Sequence, residues 1–271
     1  MQGQSQISEF WPGGPRLKED PEVFRLCADS VLLADFAASA RSGAEKRAID
    51  LGCGSGDKNS AADLGCGSRA SKRAIDLGCG SGVIALLLAW NDPELYIEGI
   101  DISKRAAQLA SENFALNALA KRASAIERDL RRYREFYEAG SFDLAISNPP
   151  FFSPGGGRRP AKQWQAEARG GESCTIDDLC RAAGYLVRPG GSFALAHKPA
   201  MLCTVFRSLG KYGLEPKRLR FVHHTRSSAP CLALIGSRAG GKPSLKVEAP
   251  LILKDDDGGD SDEMKAIYRI I

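Results

Sequence analysis

Histidine is scarce in the 271-residue chain, which holds only His197, His223 and His224. None is spaced with cysteine or a second acid as a metal ligand would be, so no metal centre is expected. The eight cysteines (27, 53, 66, 79, 174, 180, 203 and 231) include no C-x-x-C pair and read as reduced, mainly structural thiols. No apolar run approaches the roughly 18 residues that span a bilayer. The start MQGQSQISEFWPGG lacks the charged and apolar regions of a signal peptide, so no membrane partner and a cytoplasmic location are expected. Net charge is also nearly absent: 37 Lys and Arg stand against 33 Asp and Glu, a balance of +4 that permits a nucleic-acid partner without requiring one. Nothing in the sequence fixes the oligomeric state.

What is present is an ordinary globular composition, 43% hydrophobic and 26% charged, in a chain long enough for one large α/β domain. Within it the hexapeptide DLGCGS occurs three times, from Asp50, Asp63 and Asp76, at a constant spacing of 13 residues. That period is too short for a solenoid unit. A glycine loop holds a nucleotide only when a strand delivers it and a helix opens directly after it. The first two copies run into the polar stretches DKNSAAD and RASKRAID, whereas the third enters VIALLLAW. An acidic residue is expected about 20 positions beyond such a loop. Asp101 lies 19 residues after Gly82 but 45 after Gly56. The working loop is therefore Asp76 to Gly82, and residues 46–71 are read as a tandem expansion. The octet AIDLGCGS is identical at 48–55 and 74–81, so the local sequence alone cannot choose between those two copies.

From Lys72 onward apolar strand-like runs alternate with helical ones, the pattern of a parallel sheet covered on both faces. RAIDL, LYIEGID, SAIERDL, FDLAISNPP and GSFALAHK are expected strands, with RPGG turning the chain into the last. Helices are expected at Val83 to Trp90, at Ser103 to about Asn117 with Ser103 as N-cap, and at Ile176 to Leu186. RLRFVHH and CLALIGS lie close together and predict an antiparallel hairpin. The expected fold is α/β and Rossmann-like: a mostly parallel, doubly wound sheet of seven strands ending in that hairpin. Residues 1–45 are expected to form an N-terminal segment and helix packing on the core, residues 46–71 an insertion, and residues 72–271 the catalytic domain. The acidic turn near Asp255 fails the calcium-loop pattern, because its fifth and twelfth positions are Gly259 and Ala266.

Gly78, Gly80 and Gly82 let a ligand lie against backbone. Asp76 opens the loop with a negative charge that repels a pyrophosphate but suits the ammonium of a methionine moiety, which points away from NAD. Asp101, at the end of the second strand, can accept both hydrogens of a ribose diol. Ile102 can cover an adenine face, and Asp129 can accept from the adenine amine. The plain structural alternatives are turn chemistry for Asp101 and a helix N-cap for Asp129.

Asn148, Pro149, Pro150 and Phe151 follow the fourth strand, at the edge where doubly wound sheets bind ligands. An exocyclic aromatic amine is a poor nucleophile because its lone pair is delocalised into the ring. Hydrogen bonds to the Asn148 side-chain oxygen and the Pro149 carbonyl would localise and aim that pair. Two prolines fix the backbone, and Phe151, with Phe152, offers a flat face for a base. Arg158, Arg159, Lys162 and Arg169 beyond, and the second set Lys217, Arg218 and Arg220, can neutralise RNA phosphates, although a solvated loop explains the first set nearly as well.

The succession DLGCGSG, GID, ERD and SNPPF resembles the class I adenine-N6 and glutamine-N5 methyltransferases. With ADSVLLADFA, LVRPGG and the tail EAPLILKDDDGG to EMKAIYRI, the chain looks like the bacterial family that modifies the adenine beside the anticodon of a valine tRNA. The resemblance implies S-adenosyl-L-methionine as cofactor, methylation of adenine N6 in RNA, a tRNA partner, and a place for Asp29 near the cofactor. The triple loop departs from that family. A protein glutamine-N5 methyltransferase is the alternative reading, disfavoured because the N-terminal part has no room for a sizeable recognition domain. A noncatalytic RNA-binding protein with a vestigial pocket is the third.

Overall fold

The computed structural model describes residues 7–20, 23, 27–39, 72–149 and 174–269. The tandem expansion at 46–71, together with Pro150, Phe151, Phe152, Arg158 and Arg159, lies outside the described residues.

Eleven strands are described: β1 (Ile7–Glu9), β2 (Arg16–Lys18), β3 (Lys72–Leu77), β4 (Leu95–Asp101), β5 (Ala123–Glu127), β6 (Phe142–Ser147), β7 (Val187–His197), β8 (Leu214–His223), β9 (Pro230–Ala239), β10 (Lys246–Val247) and β11 (Leu251–Ile252). The helices are α1 (Ala28–Ser39), α2 (Val83–Asn91), α3 (Lys104–Leu116), α4 (Ile176–Leu186), α5 (Leu202–Lys211) and α6 (Asp262–Ile267). The main sheet runs β5-β4-β3-β6-β7-β9-β8, with β10 and β11 both added to β8. β3, β4, β5, β6 and β7 pair in parallel, and β9 is antiparallel to both β7 and β8. Strand order reverses between β3 and β6, which creates the switch-point crevice at their carboxyl ends. The expected seven-stranded, doubly wound arrangement is therefore present, extended by the two short strands at its edge.

The sheet alternates its faces residue by residue, as a pleat requires. Ala74, Ile97, Ile146, Ala194, Ala196 and Leu234 join the core beneath α1, α2 and α3. Ile75, Ile100, Ala145, Phe193, Leu195 and Ile235 join the one beneath α4 and α5. α2 is buried all round, from Val83 to Ala89, because α1 covers the side that the sheet does not. Ser103 caps α3 by accepting from the Ala106 amide, and Thr175 and Asp178 form a capping box on α4.

Four departures from the sequence reading have local causes. The FWPGGP stretch, which carries few strand signals, turns a short antiparallel hairpin, β1 with β2. SAIERDL is a strand only to Glu127, because Asp129 caps a 3₁₀ turn over Leu130–Glu135. RPGG does not precede β7 but lies within it as a bulge: the register shifts between Phe142 and Leu144, and Gly190 takes a φ of +76°. Finally, LCTVFRSLGK forms α5, whose buried Val205 and Leu209 pack towards α4 and β8.

Candidate active site

β3 delivers Asp76 to the carboxyl edge of the sheet, in register with Gly99 of β4 and Ile146 of β6. The glycine loop then folds back over β4: the amides of Gly78 and Cys79 both donate to the Ile100 carbonyl, at 2.8 and 3.0 Å. Gly78, Gly80 and Gly82 have φ values of +79°, +54° and +80°, a region that a side chain disfavours. A Cβ on Gly78 or Gly80 would project into open space, whereas one on Gly82 would come within 2.8 Å of the Ala110 methyl. The first two glycines thus keep the loop face clear, and the third lets α2 and α3 close together.

Asp76 is fully buried, and among the described residues neither of its oxygens makes a hydrogen bond of ordinary length and angle, the Ala85 amide being a more distant donor. Burial, followed by the nearby Asp101 charge, pushes its carboxyl up to about 7, and the Ala85 backbone amide offsets this only in part. A buried carboxylate without a donor is costly unless a cation completes it. Asp101 ends β4, and its oxygens accept from the Gly80 amide (2.9 Å) and the Ser103 amide (2.8 Å). Each oxygen retains a lone pair for an outside donor. Burial raises the Asp101 carboxyl, and the two amides pull it back. The next residue, Ile102, leaves half its surface (52%) exposed beside this edge.

Asp129 stands at the edge beyond β5, where it takes the structural alternative. It accepts from the Arg131 amide at 2.9 Å, and the Arg131 guanidinium engages both of its oxygens. The Arg131 hydrogen bond holds its carboxyl below the ordinary value.

On the other side of the switch point the Ser147 hydroxyl donates to the Leu77 carbonyl (2.7 Å), locking the ends of β6 and β3 together. Asn148 follows immediately. Its amide nitrogen donates to Ser30 Oγ (3.0 Å), in the first turn of α1, and to Cys27 Sγ (3.6 Å), just before that helix, and among the described residues its Oδ1 is buried without a partner. The carboxyl ends of the adjacent strands β3 and β6 therefore carry an unpartnered carboxylate and an unpartnered amide oxygen. Sequence reasoning found both acids and Asn148. It missed Ser30 and Cys27, which lie 118 and 121 residues away and carry no motif for this contact. Asp29, beside them on α1, has its carboxyl raised by burial, offset in part by its own backbone amide and then by His224.

The second basic set does not face outward as free charge. Arg218 donates to the Phe36 carbonyl near the end of α1, lies 4.1 Å over the Phe36 ring and pairs with Glu248. Arg220 pairs with Glu263, and Lys217 bonds Ser244 Oγ and the Lys242 carbonyl. These side chains hold α1 and the tail to the sheet. Among the described residues no helix is long and apolar enough to cross a membrane.

Sheet order, glycine loop and switch-point asparagine define a class I methyltransferase fold. Consistently, a family model described as "Methyltransferase small domain" matches residues 57–164. A predicted O-methyltransferase from Agrobacterium tumefaciens aligns with a TM-score of 0.63 and 18% identity, covering 89% of this chain and 95% of its own. Among curated proteins, the tRNA1(Val) (adenine(37)-N6)-methyltransferase of Yersinia pseudotuberculosis serotype O:3 is 35% identical over 174 residues, 64% of this chain and 56% of that one. Its counterpart in Yersinia enterocolitica is 35% identical over 116 residues, 42% of this chain and 45% of that one. The chain thus spans about half the length of the curated relatives it matches. Over those segments the chain is similar to tRNA1(Val) (adenine(37)-N6)-methyltransferases. The residues present fit the cofactor of that class, S-adenosylmethionine. Buried Asp76 lacks a cation, the loop face at Gly78 and Gly80 is open, and Asp101 has acceptor capacity to spare.

Proposed function

We propose that this chain methylates the exocyclic N6 of adenine in RNA, in a tRNA near its anticodon, and works in the cytoplasm. The observation that carries the reading is Asn148. Its Oδ1 is an unsatisfied acceptor at the end of β6, beside the strand whose end carries the unpartnered Asp76. The names of the curated relatives supply the tRNA and the adenine.

When bound, S-adenosylmethionine supplies an electrophilic methyl group. Asp76 holds its ammonium, Gly78, Gly80 and Gly82 let it lie against the loop, Asp101 takes the ribose diol, and Ile102 covers the adenine ring. Asp129 serves the cofactor's adenine amine only if Arg131 shares its carboxylate, so its contribution is smaller than that of Asp101. The Asn148 Oδ1 and the Pro149 carbonyl accept hydrogen bonds from the target amine and hold its lone pair towards the methyl carbon. No general base is needed, because the proton leaves once the nitrogen is cationic. Pro150 stiffens the segment, Phe151 and Phe152 stack the base, and Arg158 and Arg159 meet RNA phosphates. Residues 72–271 constitute the catalytic domain in this reading, with residues 1–45 as a segment that completes it and residues 46–71 as an insertion.

Incubation with methyl-labelled cofactor and unmodified tRNA, followed by nuclease digestion, tests the assignment. Label in N6-methyladenosine is expected. Label in protein glutamine would replace the RNA reading with its alternative, and failure to bind S-adenosylmethionine in calorimetry would end both.

A further inference from the structure

We infer that Ser30, assisted by Cys27, is a positioning residue that fixes which way round the Asn148 amide stands, so that the N-terminal helix sets the polarity of the catalytic group. The inference rests on the methyl-transfer role proposed for Asn148.

A carboxamide is nearly symmetric in shape but opposite in character at its two ends: the oxygen only accepts and the nitrogen only donates. Asn148 serves an incoming amine only with Oδ1 towards the crevice. With the amide turned over, two donors would face each other, leaving a buried N–H and the substrate amine both unpaired. Nothing on β6 or in Pro149 makes this choice, since Ser147 is committed to the Leu77 carbonyl and proline has no amide hydrogen. The choice comes from α1. Nδ2 carries two hydrogens and meets two acceptors, Ser30 Oγ at 3.0 Å and Cys27 Sγ at 3.6 Å. The two acceptors also touch each other, with Sγ and Oγ 3.8 Å apart. The Ser30 hydroxyl can therefore give its hydrogen to the sulfur and leave its lone pairs for Nδ2. With both nitrogen hydrogens claimed, the oxygen is the one end of the amide left open, and it is the end that has no partner.

Cys27 immediately precedes, and Ser30 lies in the first turn of, a helix that is otherwise held firmly. Val31, Leu32, Leu33 and Phe36 are buried, and Arg218 donates to the Phe36 carbonyl near its far end. Ser30 itself is only half-buried.

Ser30→Thr and Ser30→Val make the test, being matched in shape and different in one hydroxyl. With tRNA and S-adenosylmethionine, Ser30→Thr should stay within about twofold of the parent kcat. Ser30→Val should lose about tenfold or more, the scale of one hydrogen bond in a transition state. The KM for tRNA and the cofactor Kd should move less than about twofold in both. A purely structural role would instead lower Tm and shift KM and kcat together. A second readout needs no substrate: the two Asn148 side-chain amide protons, followed by nuclear magnetic resonance, should exchange slowly in the parent and in Ser30→Thr and rapidly in Ser30→Val. Equal exchange in Ser30→Val and the parent would overturn the inference whatever the substrate proves to be. Equal kcat in an active parent and Ser30→Val would overturn it as well.

Discussion

Asp76 shows what burying an unpartnered carboxylate costs the fold. Its carboxyl ionises near 3.8 in an unfolded chain but only at about 7 in the folded, cofactor-free one. The folded state is therefore favoured by the protonated form, fully so below pH 3.8. That contribution is lost as pH rises to about 7, with an upper bound of roughly 4 kcal/mol. Asp76→Asn should remove this decline and raise the cofactor-free Tm at pH 8, while weakening S-adenosylmethionine binding by about tenfold or more. In the parent, cofactor affinity should fall as pH drops below about 7, because the ammonium requires the ionised carboxylate. A flat affinity between pH 5.5 and 8 would show that Asp76 is not the partner of the cation.

The elements divide into those that carried their own signal and those that did not. β3 to β6, with α3 and α4, were legible from their apolar runs and the caps or turns at their boundaries, and α2 from a continuous apolar run directly after the glycine loop. Asp76, Asp101 and Asn148 were legible because a doubly wound sheet puts strand ends in one place. The hairpin β1–β2 was not, since its strands are three residues each and its order comes from a distant helix. Buried Asn113 of α3 accepts from the Lys18 amide and donates to the carbonyls of Lys18 and Ser81, while Asn117 pairs with both backbone groups of Arg16. Asn113 thus stands in for a neighbouring strand and ties the hairpin to the glycine loop. Asn113→Ala leaves the buried Ser81 carbonyl and two part-buried backbone groups of Lys18 short of a partner and should cost about 2 kcal/mol in urea unfolding, more than Asn117→Ala. An equal loss in the two variants would contradict that role. The contact of Ser30 with Asn148 escaped for the same reason as the hairpin: both partners are polar residues with ordinary local roles, and only the tertiary fold brings them together.

At the scale of the whole molecule, the repeat and the sheet order bear on each other. KRAIDLGCGSG occurs identically at 46–56 and 72–82, and the second copy supplies β3 and the loop that opens α2. Deleting residues 46–71 leaves one complete copy in front of Val83, so the shortened chain should fold and bind S-adenosylmethionine with unchanged affinity. Its stability should differ by less than about 1 kcal/mol, since loop length enters only logarithmically. Loss of cofactor binding in that deletion would mean that the earlier copies take part in the site. At the same scale, Arg218 and Arg220 tie α1 and the tail to the sheet through Glu248 and Glu263.

The central claim is that Asn148 performs transfer while the loop and strand-end acids perform binding. It is tested most directly by measuring both in one variant, Asn148→Ala, with labelled S-adenosylmethionine and unmodified tRNA. The account predicts cofactor affinity within about threefold of the parent and N6-methyladenosine reduced by a factor of about 1,000 or more, as befits loss of the group that aims the nucleophile. Near-parental N6-methyladenosine from that variant, or loss of cofactor binding in step with turnover, would contradict it.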